Sequence, residues 1–297
     1  MSKQQRADLL LVMVAGFWGV SYIMTDIALT ELEPMTLNAF RFLSAFLVLG
    51  LIFFKKLRHI SRATLGFSVV IGLCLVGVYT CCTYGILYTS LSNAGFICSL
   101  PVVTTPILEF IVSRKKPPKK MLFCLILCAV GLALLTLNET FRPALGDIIC
   151  LGPAVFYAID LVVTDRVIRR SDVDPLQMGV CELGVTGVIM LILALILETP
   201  HFPATPRVWF HTLFLGIFCS GVAFVVQTVQ QKYTTPSHVG LIFTLEPLFA
   251  AIVAYFFADE VLRPQGYVGA VLMMASLILM ELELPAKKKK KKAESRS

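Results

Sequence analysis

The sequence predicts an all-α polytopic membrane protein whose ten transmembrane helices form two inverted five-helix repeats. Three observations predict this fold: an apolar composition, ten apolar segments of spanning length, and motifs that recur in the same order in both halves. Of the 297 residues, 57% are hydrophobic and 15% are charged, and the mean hydropathy is +0.81. Soluble domains are about 45–50% apolar and about 25% charged, so lipid is the expected solvent for most of this chain.

The apolar segments cover most of the chain and leave no room for a soluble domain between them. A transmembrane helix needs about 20 mainly apolar residues. Segments of this kind lie at 7–29, 35–54, 65–88, 93–112, 120–138, 146–166, 176–197, 208–231, 237–257 and 265–284. The first segment follows two basic residues, as in a signal peptide, but it is too long and lacks a small-residue cleavage site. We therefore expect it to be a membrane span.

Lysine and arginine residues concentrate in alternate loops. With the N-terminus in the cytoplasm, 22 of the 26 Lys and Arg residues fall in cytoplasmic segments, three fall in outer loops, and Arg41 falls inside a span. Cytoplasmic loops carry an excess of these residues, so we expect a multi-pass protein of the inner or plasma membrane with both termini cytoplasmic. Residues 286–297 include six consecutive lysines and are expected to form a basic cytoplasmic tail beside anionic lipid.

Short motifs recur at offsets of 139 to 145 residues. Residues 18–26 and 157–165 both begin with an aromatic residue and end in Thr-Asp, and residues 94–97 resemble residues 239–242. A unit with an odd number of spans ends on the opposite side from its start, so its copy inserts with inverted orientation, as in secondary transporters. We expect a first repeat at 1–140 and a second at 141–285.

Several motifs resemble those of the EamA-type family of the drug/metabolite transporter superfamily. In the second half they are QKYTTP at 231–236, LEPLFAA at 245–251, DEVL at 259–262 and GAVL at 269–272. In the first half they are FWGVSY at 17–22, RFL at 41–43, and residues 88–90 with 93–95. The resemblance implies ten helices in two inverted EamA repeats, a central cavity and alternating access, with amino acids, other metabolites or drugs as cargo, often moved outward. Asp26 departs from the family, which often has a lysine after Trp-Gly.

Eight side chains within the spans are candidates for substrate binding. Aromatic and amide groups suit a cavity that accepts molecules with polar and apolar parts. Arg41 could bind an anionic group there. Alternatively it pairs with Asp26 or Glu31, because a charge at mid-bilayer costs about 2.5–3.5 kcal/mol and needs a partner or water. The eight candidates are Trp18, Tyr22, Asn38, Arg41, Tyr84, Tyr157, Gln227 and Gln230.

Asp160, Glu182 and Glu246 are acids inside predicted spans, where an ionisable residue is a functional candidate by default. Each could line the cavity or carry a coupling proton. The alternatives are structural: Asp160 could pair with Arg166, Glu182 could form an interhelical ion pair, and Glu246 could stabilise a kink at Pro247, which removes a backbone hydrogen bond.

These observations predict a secondary active transporter of small metabolites that works by alternating access, with export of amino acids or related amphipathic compounds as the first hypothesis. No phosphate-binding glycine-rich loop is present in the sequence, so the energy is expected to come from a gradient. The alternatives are uptake or facilitated diffusion of another class (a drug, nucleobase or sugar derivative), a membrane receptor, or an intramembrane enzyme, which would need a catalytic pair at matched depth.

Expected partners are a small-molecule substrate, the lipid bilayer and protons as a coupling ion, with the chain a monomer or homodimer. Nucleic acid is not expected as a partner, since a lysine run is usually a solvated charged segment. The nine cysteines and four histidines show no metal-ligand spacing, so we expect no metal, no cofactor and no catalytic residue.

Overall fold

The computed structural model describes residues 3–88, 97–114, 116–136, 145–257 and 264–281, and every regular element in these ranges is helical. The predicted tail at 286–297 and the motif residues 89–90, 93–95 and 259–262 lie outside the described residues. The α-helices are α1 (Lys3–Ala28), α2 (Pro34–Ile52), α3 (Phe54–Leu57), α4 (Arg62–Tyr88), α5 (Pro101–Ser113), α6 (Lys119–Thr136), α7 (Leu145–Ile149), α8 (Leu151–Val167), α9 (Pro175–Leu197), α10 (Pro206–Phe214), α11 (Ala223–Gln230), α12 (Pro236–Phe243), α13 (Glu246–Phe257) and α14 (Pro264–Glu281). A π-helical segment, Leu215–Val222, joins α10 to α11, and a 3₁₀ turn, Gln231–Tyr233, follows α11.

Seven helical segments within the described ranges are long and apolar enough to cross a membrane. Helices α5, α6 and α14 occupy the other three predicted spans. The outer surface of the bundle is apolar: Ile196 is 71% exposed, Phe256 is 72% exposed and Val271 is 67% exposed. Side chains of this kind need lipid around them. The all-α membrane fold is therefore confirmed, and the count of ten crossings stays a prediction.

Proline residues and polar caps set where several helices begin. Pro34 is the first residue of α2 and Pro175 the first of α9. Proline is favoured there because its missing N–H would have no partner within the helix and its φ is already helical. Asp174 caps α9 by accepting hydrogen bonds from the backbone N–H groups of Leu176 (2.8 Å) and Gln177 (3.0 Å).

The loops assigned to each side of the membrane meet at opposite ends of the bundle. At the predicted outer end, the Thr205 hydroxyl donates to Glu31 at 2.5 Å and joins the α9–α10 loop to the α1–α2 loop. At the predicted cytoplasmic end, the Ser61 hydroxyl donates to the Asp172 carbonyl at 2.6 Å. This grouping matches the alternation of basic loops. Which end faces the cytoplasm stays a prediction.

Each half contains a helix interrupted close to a proline. Helix α12 ends at Phe243 and α13 begins at Glu246, with Pro247 as its second residue. A proline ring clashes with the carbonyl four residues earlier, here that of Phe243. A corresponding turn at 99–100 precedes Pro101, and the two turns lie 145 residues apart. The break that Pro247 predicts is present, and its counterpart occurs at the offset of the repeated motifs.

Candidate functional site

A cavity of about 100 Å³ lies among α1, α2, α4, α8, α11 and α13. A single water needs roughly 10–15 Å³ on a comparable scale, so the cavity has room for several waters or a small polar group. The cavity is lined by Trp18, Ser21, Tyr22, Thr25, Arg41, Val78, Tyr79, Cys82, Thr83, Cys98, Pro153, Tyr157, Phe224 and Glu246.

One face of α1 forms a wall of the cavity. Trp18, Ser21, Tyr22 and Thr25 are spaced at three and four residues, so their side chains project from the same side of the helix. The Trp18 indole N–H donates to the Cys219 carbonyl at 2.8 Å, which fixes the orientation of the ring. This wall offers one large aromatic surface and several hydroxyl groups to an occupant.

Arg41 is held by the π-helical segment and by α4, and both acidic partners proposed from the sequence are absent from its contacts. Its Nε donates to the Ser220 hydroxyl at 2.5 Å, and its Nη2 donates to the Tyr79 hydroxyl at 3.3 Å and the Cys219 carbonyl at 3.4 Å. The guanidinium carbon lies 4.7 Å from the Tyr79 ring centroid, a cation–π distance. Only 4% of the residue is exposed.

The predicted Arg41 pairs are thus wrong for a physical reason. Among the described residues Arg41 makes no salt bridge, because Asp26 is exposed and Glu31 lies in the α1–α2 loop, where it accepts from Ala204 and Thr205. Neutral hydroxyl and carbonyl groups orient the guanidinium and leave its charge uncompensated by direct contact. A guanidinium that is oriented by neutral groups and has no acidic partner in contact can bind an anionic group.

The π-helical segment lets α2 approach closely. A Cβ built on Gly216 would lie 2.8 Å from the Arg41 carbonyl, so glycine is required at that crossing. The spacing of Gly216 and Ser220 is that of a packing seam, and Gly216 has that role. Ser220 additionally accepts the hydrogen bond that positions Arg41. π-Helical turns occur frequently at functional sites.

Glu246 supplies the acidic group of the cavity. It is the first residue of α13, beside the helix interruption, and its carboxyl interacts with the Tyr22 hydroxyl and with the charge of Arg41. Helix α1 comes very near this point: a Cβ on Gly19 would lie 2.8 Å from the Ala250 nitrogen and 2.9 Å from the Glu246 carbonyl. The cavity is therefore lined by one basic and one acidic side chain, Arg41 and Glu246.

The structure brings together part of the predicted set. Five predicted residues line the cavity, and these are Trp18, Tyr22, Arg41, Tyr157 and Glu246. Two others touch residues that line it: the Asn38 amide donates to Thr83 at 3.0 Å, and Gln227 accepts from the Tyr157 hydroxyl at 2.8 Å.

The remaining candidates lie elsewhere. Tyr84 packs beside the Met35 and Met190 cluster, and Gln230 is partly buried at the end of α11, away from the cavity lining. Asp160 and Glu182 are buried but are not lining residues. Arg166, a proposed partner of Asp160, instead donates to the Val112 carbonyl at 2.8 Å.

Sequence reasoning missed the residues of α4 that line the cavity. Tyr79, Cys82 and Thr83 line the cavity at spacings of three and four residues. Such a stripe of polar and aromatic residues in an apolar span is the signal that could have identified them. The Ser220 and Cys219 groups could not be found in this way, because a π turn changes the phase of the helix face.

Both halves of the chain match one protein family. A model of the EamA-like transporter family matches residues 5–137 and, separately, residues 144–282. An uncharacterized transporter of Archaeoglobus fulgidus is 29% identical over 282 residues, which is 95% of this chain and 88% of the relative. An uncharacterized transporter of Bacillus subtilis is 22% identical over an alignment of 308 positions, gaps included, that covers 97% of each chain.

A solved structure has the same fold. A protein known from its crystal structure superposes with a TM-score of 0.79 over 93% of this chain and 96% of its own, at 15% sequence identity. At that identity the likeness concerns the fold alone.

Proposed function

Because the chain belongs to the EamA-like transporter family, we propose that it is a secondary carrier that moves small zwitterionic, amphipathic metabolites, amino acids first, across the cytoplasmic membrane by alternating access. The resemblance deduced from the motifs is thereby confirmed, and membrane transport follows from the family. The class of cargo and the mechanism are our proposals, argued below from the cavity.

The presence of Arg41 and Glu246 in one cavity is the observation that carries the proposal. A carboxylate of the cargo would bind the guanidinium of Arg41, and an ammonium group would bind the carboxyl of Glu246. Charge-assisted hydrogen bonds of this kind are roughly twice as strong as neutral ones. A molecule with both groups satisfies both side chains.

The rest of the cavity suits an apolar substituent. Trp18, Tyr79, Tyr157 and Phe224 present aromatic rings to the same space. The rings pack on each other, with centroids of Trp18 and Phe224 5.4 Å apart and of Trp18 and Tyr157 5.9 Å apart. Aromatic surfaces with a few oriented polar groups are typical of sites that bind amphipathic molecules.

The interrupted helix beside Glu246 supports alternating access. Secondary transporters commonly place the substrate where discontinuous helices end near the bilayer midplane, and rock one repeat against the other. Here the α12–α13 break adjoins the cavity, and Glu246 stands at the start of α13. A small change at that break would change the position of Glu246 relative to α1.

The experiment is counterflow in proteoliposomes loaded with pooled unlabelled amino acids, with labelled amino acids outside. We expect transient accumulation of one or a few labelled amino acids. This accumulation should survive ionophores, because the unlabelled cargo inside drives the exchange and no ion gradient is needed. Failure of every amino acid to accumulate, with protein shown to be folded, would eliminate amino acids as cargo. Drugs, nucleobases and sugar derivatives would then be tested in the same assay.

Two cargo analogues form the matched control. An amino-acid amide lacks the carboxylate, and the corresponding decarboxylated amine lacks it together with the carbonyl. Both should compete poorly with the labelled amino acid if Arg41 binds the carboxylate. Equal competition by the amide would contradict the zwitterion proposal while leaving transport itself intact.

A further inference from the structure

Two buried carboxyl groups outside the cavity lining are only half satisfied. Asp160 on α8 is 2% exposed and Glu182 on α9 is 1% exposed. Asp160 Oδ1 accepts a hydrogen bond from Thr164 at 3.0 Å, and Glu182 Oε1 accepts one from Thr228 at 3.2 Å. The second oxygen of each carboxyl is buried and has no hydrogen-bond partner in the described residues.

No cation compensates these two acids within the part of the chain that the structure describes. No oxygen of either carboxyl group lies within 4.0 Å of a described lysine, arginine or histidine nitrogen. The two carboxyl groups also act on each other electrostatically, each as a possible negative charge. A buried carboxylate without a counter-charge takes up a proton in preference to remaining an anion, and two neighbouring ones cannot both ionise.

Three neutral side chains lie within electrostatic reach of these acids. The Cys74 thiol of α4 is near Asp160, the Cys181 thiol of α9 is near Glu182, and the Tyr157 hydroxyl of α8 is near both. From the 3₁₀ turn, the Gln231 amide donates to the Leu161 carbonyl.

Charged groups on the other neighbouring helices are engaged elsewhere. Arg41 of α2 is held at Ser220, and Glu109 of α5 accepts from Ser237. His238 of α12 lies 3.3 Å from Asp8. Within the described residues, each of the two acids is therefore left with one hydroxyl partner and no cationic partner.

A chain of contacts joins the acid pair to the cavity. Tyr157 lines the cavity, lies one turn before Asp160 on α8, and donates to Gln227 at 2.8 Å. The residue after Gln227 is Thr228, which donates to Glu182. A cargo that displaces the Tyr157 ring would therefore also disturb the hydrogen bond that holds the Glu182 carboxyl.

We propose that Asp160 and Glu182 form a proton-binding site, separate from the cargo cavity, that is filled and emptied during transport. Filling forms one O–H bond on a carboxylate oxygen with a proton from water on one side of the membrane. Emptying breaks that bond and returns the proton to water on the other side, without electron transfer. The proposal of a proton-binding site is argued from the two buried, half-satisfied carboxyl groups. The proposed role of this site in coupling rests on the proposed function.

The first test needs no cargo. Infrared spectroscopy of the purified protein at neutral pH should show the C=O stretching band of a protonated carboxylic acid. Isotopically labelled aspartate or glutamate should shift part of this band in the wild-type protein. Asp160→Asn with Glu182→Gln should reduce the intensity of that part, and Asp26→Asn, which changes an exposed acid of α1, should not.

Three results would overturn the proposal. One is a wild-type protein without a band that responds to either label. Another is a label-responsive band whose intensity is unchanged in the folded double variant. The third is loss of the band on addition of sodium at constant pH, which would assign the pair to a metal cation instead. If the double variant fails to fold, the single variants Asp160→Asn and Glu182→Gln are measured instead, and an unchanged band in both would overturn the proposal.

The second test measures coupling and uses the cargo found by counterflow. A pH gradient imposed across proteoliposomes should drive accumulation by the wild-type protein and by Asp26→Asn. The double variant should lose this pH-driven accumulation. Equal pH-driven accumulation by the double variant would overturn the coupling role. If counterflow has identified no cargo, the proposed function fails while the infrared result still decides the proton site.

Discussion

The carboxylate of Glu198 accepts two hydrogen bonds from Thr36, one from its backbone N–H and one from its hydroxyl, each at 2.8 Å. It also accepts from the Met35 N–H at 2.7 Å. A residue at the end of α9 thus caps the start of α2, where the first N–H groups of the helix have no partner within the helix. This contact joins the two halves of the chain at the predicted outer end of the bundle.

Glu198→Ala should therefore lower the thermal unfolding midpoint. Loss of a helix cap costs about 0.5–2 kcal/mol, and the substitution also removes a negative charge from a helix N-terminus. The measurement is thermal unfolding in detergent or lipid nanodiscs. Glu33→Ala is the matched control, because exposed Glu33 accepts a single 3.1 Å hydrogen bond from Thr199. Equal midpoints for the two variants would contradict the capping role.

Glu31 should make a second contact, between the α1–α2 loop and the α9–α10 loop, sensitive to acid. The hydrogen bond from the Thr205 hydroxyl is the main cause that lowers the pKa of Glu31 below its ordinary value, with further help from the Ala204 and Thr205 N–H groups. A lowered folded-state pKa means that the stabilisation is complete above the ordinary pKa and is lost as the pH falls through the lowered one. Thermal unfolding followed from neutral to acid pH should show a steeper decline for wild type than for Glu31→Gln.

The close crossing of α1 and α13 should not tolerate a methyl group at Gly19. Gly19→Ala would place a Cβ against Ala250 and the Glu246 carbonyl, both backbone atoms that cannot rotate away. Overpacking of this kind costs about 1–3 kcal/mol, and here it also displaces Glu246 from the cavity. We expect a lower unfolding midpoint and slower counterflow. Gly16→Ala is the control one turn earlier, where the nearest atom is 4.0 Å away on Phe249.

Arg41→Gln should weaken cargo binding by about tenfold or more, because a hydrogen bond to a charged group contributes roughly 1.5–3 kcal/mol. Competition in the counterflow assay measures this change, and the preference for a carboxylate over an amide should disappear with it. Arg41→Lys should not restore the preference. Lysine cannot reproduce the planar donor arrangement that reaches Ser220 and Tyr79 together. Full activity of Arg41→Lys would contradict the orienting role of those contacts.

The sequence allowed the membrane fold and part of the cavity to be predicted, for identifiable reasons. Apolar segment length reports membrane helices directly, and the spacing of Trp18 and Tyr22 places both on one face of α1. Pro247 predicted the helix break that brings Glu246 to the cavity. These features depend on properties local to one helix.

Other features depend on which helices pack against each other, and the pattern of residues within one helix does not show this. Asp160 and Glu182 have the depth and polarity of cavity residues, yet both are buried outside the cavity lining, where Thr164 of α8 bonds Asp160 and Thr228 of α11 bonds Glu182. Arg41 has acidic residues nearby along the chain, but the π-helical segment, more than 170 positions away, supplies its partners. Periodicity along a span could not predict that turn.

The Cys219 carbonyl oxygen links two walls of the cavity through one atom. It accepts from the Trp18 indole at 2.8 Å and from Arg41 at 3.4 Å, so side chains of two different helices share one acceptor. A rotation of the π-helical segment would release the ring and the guanidinium in the same motion. The aromatic wall and the cationic group of the cavity would therefore change position together, although they lie on different helices.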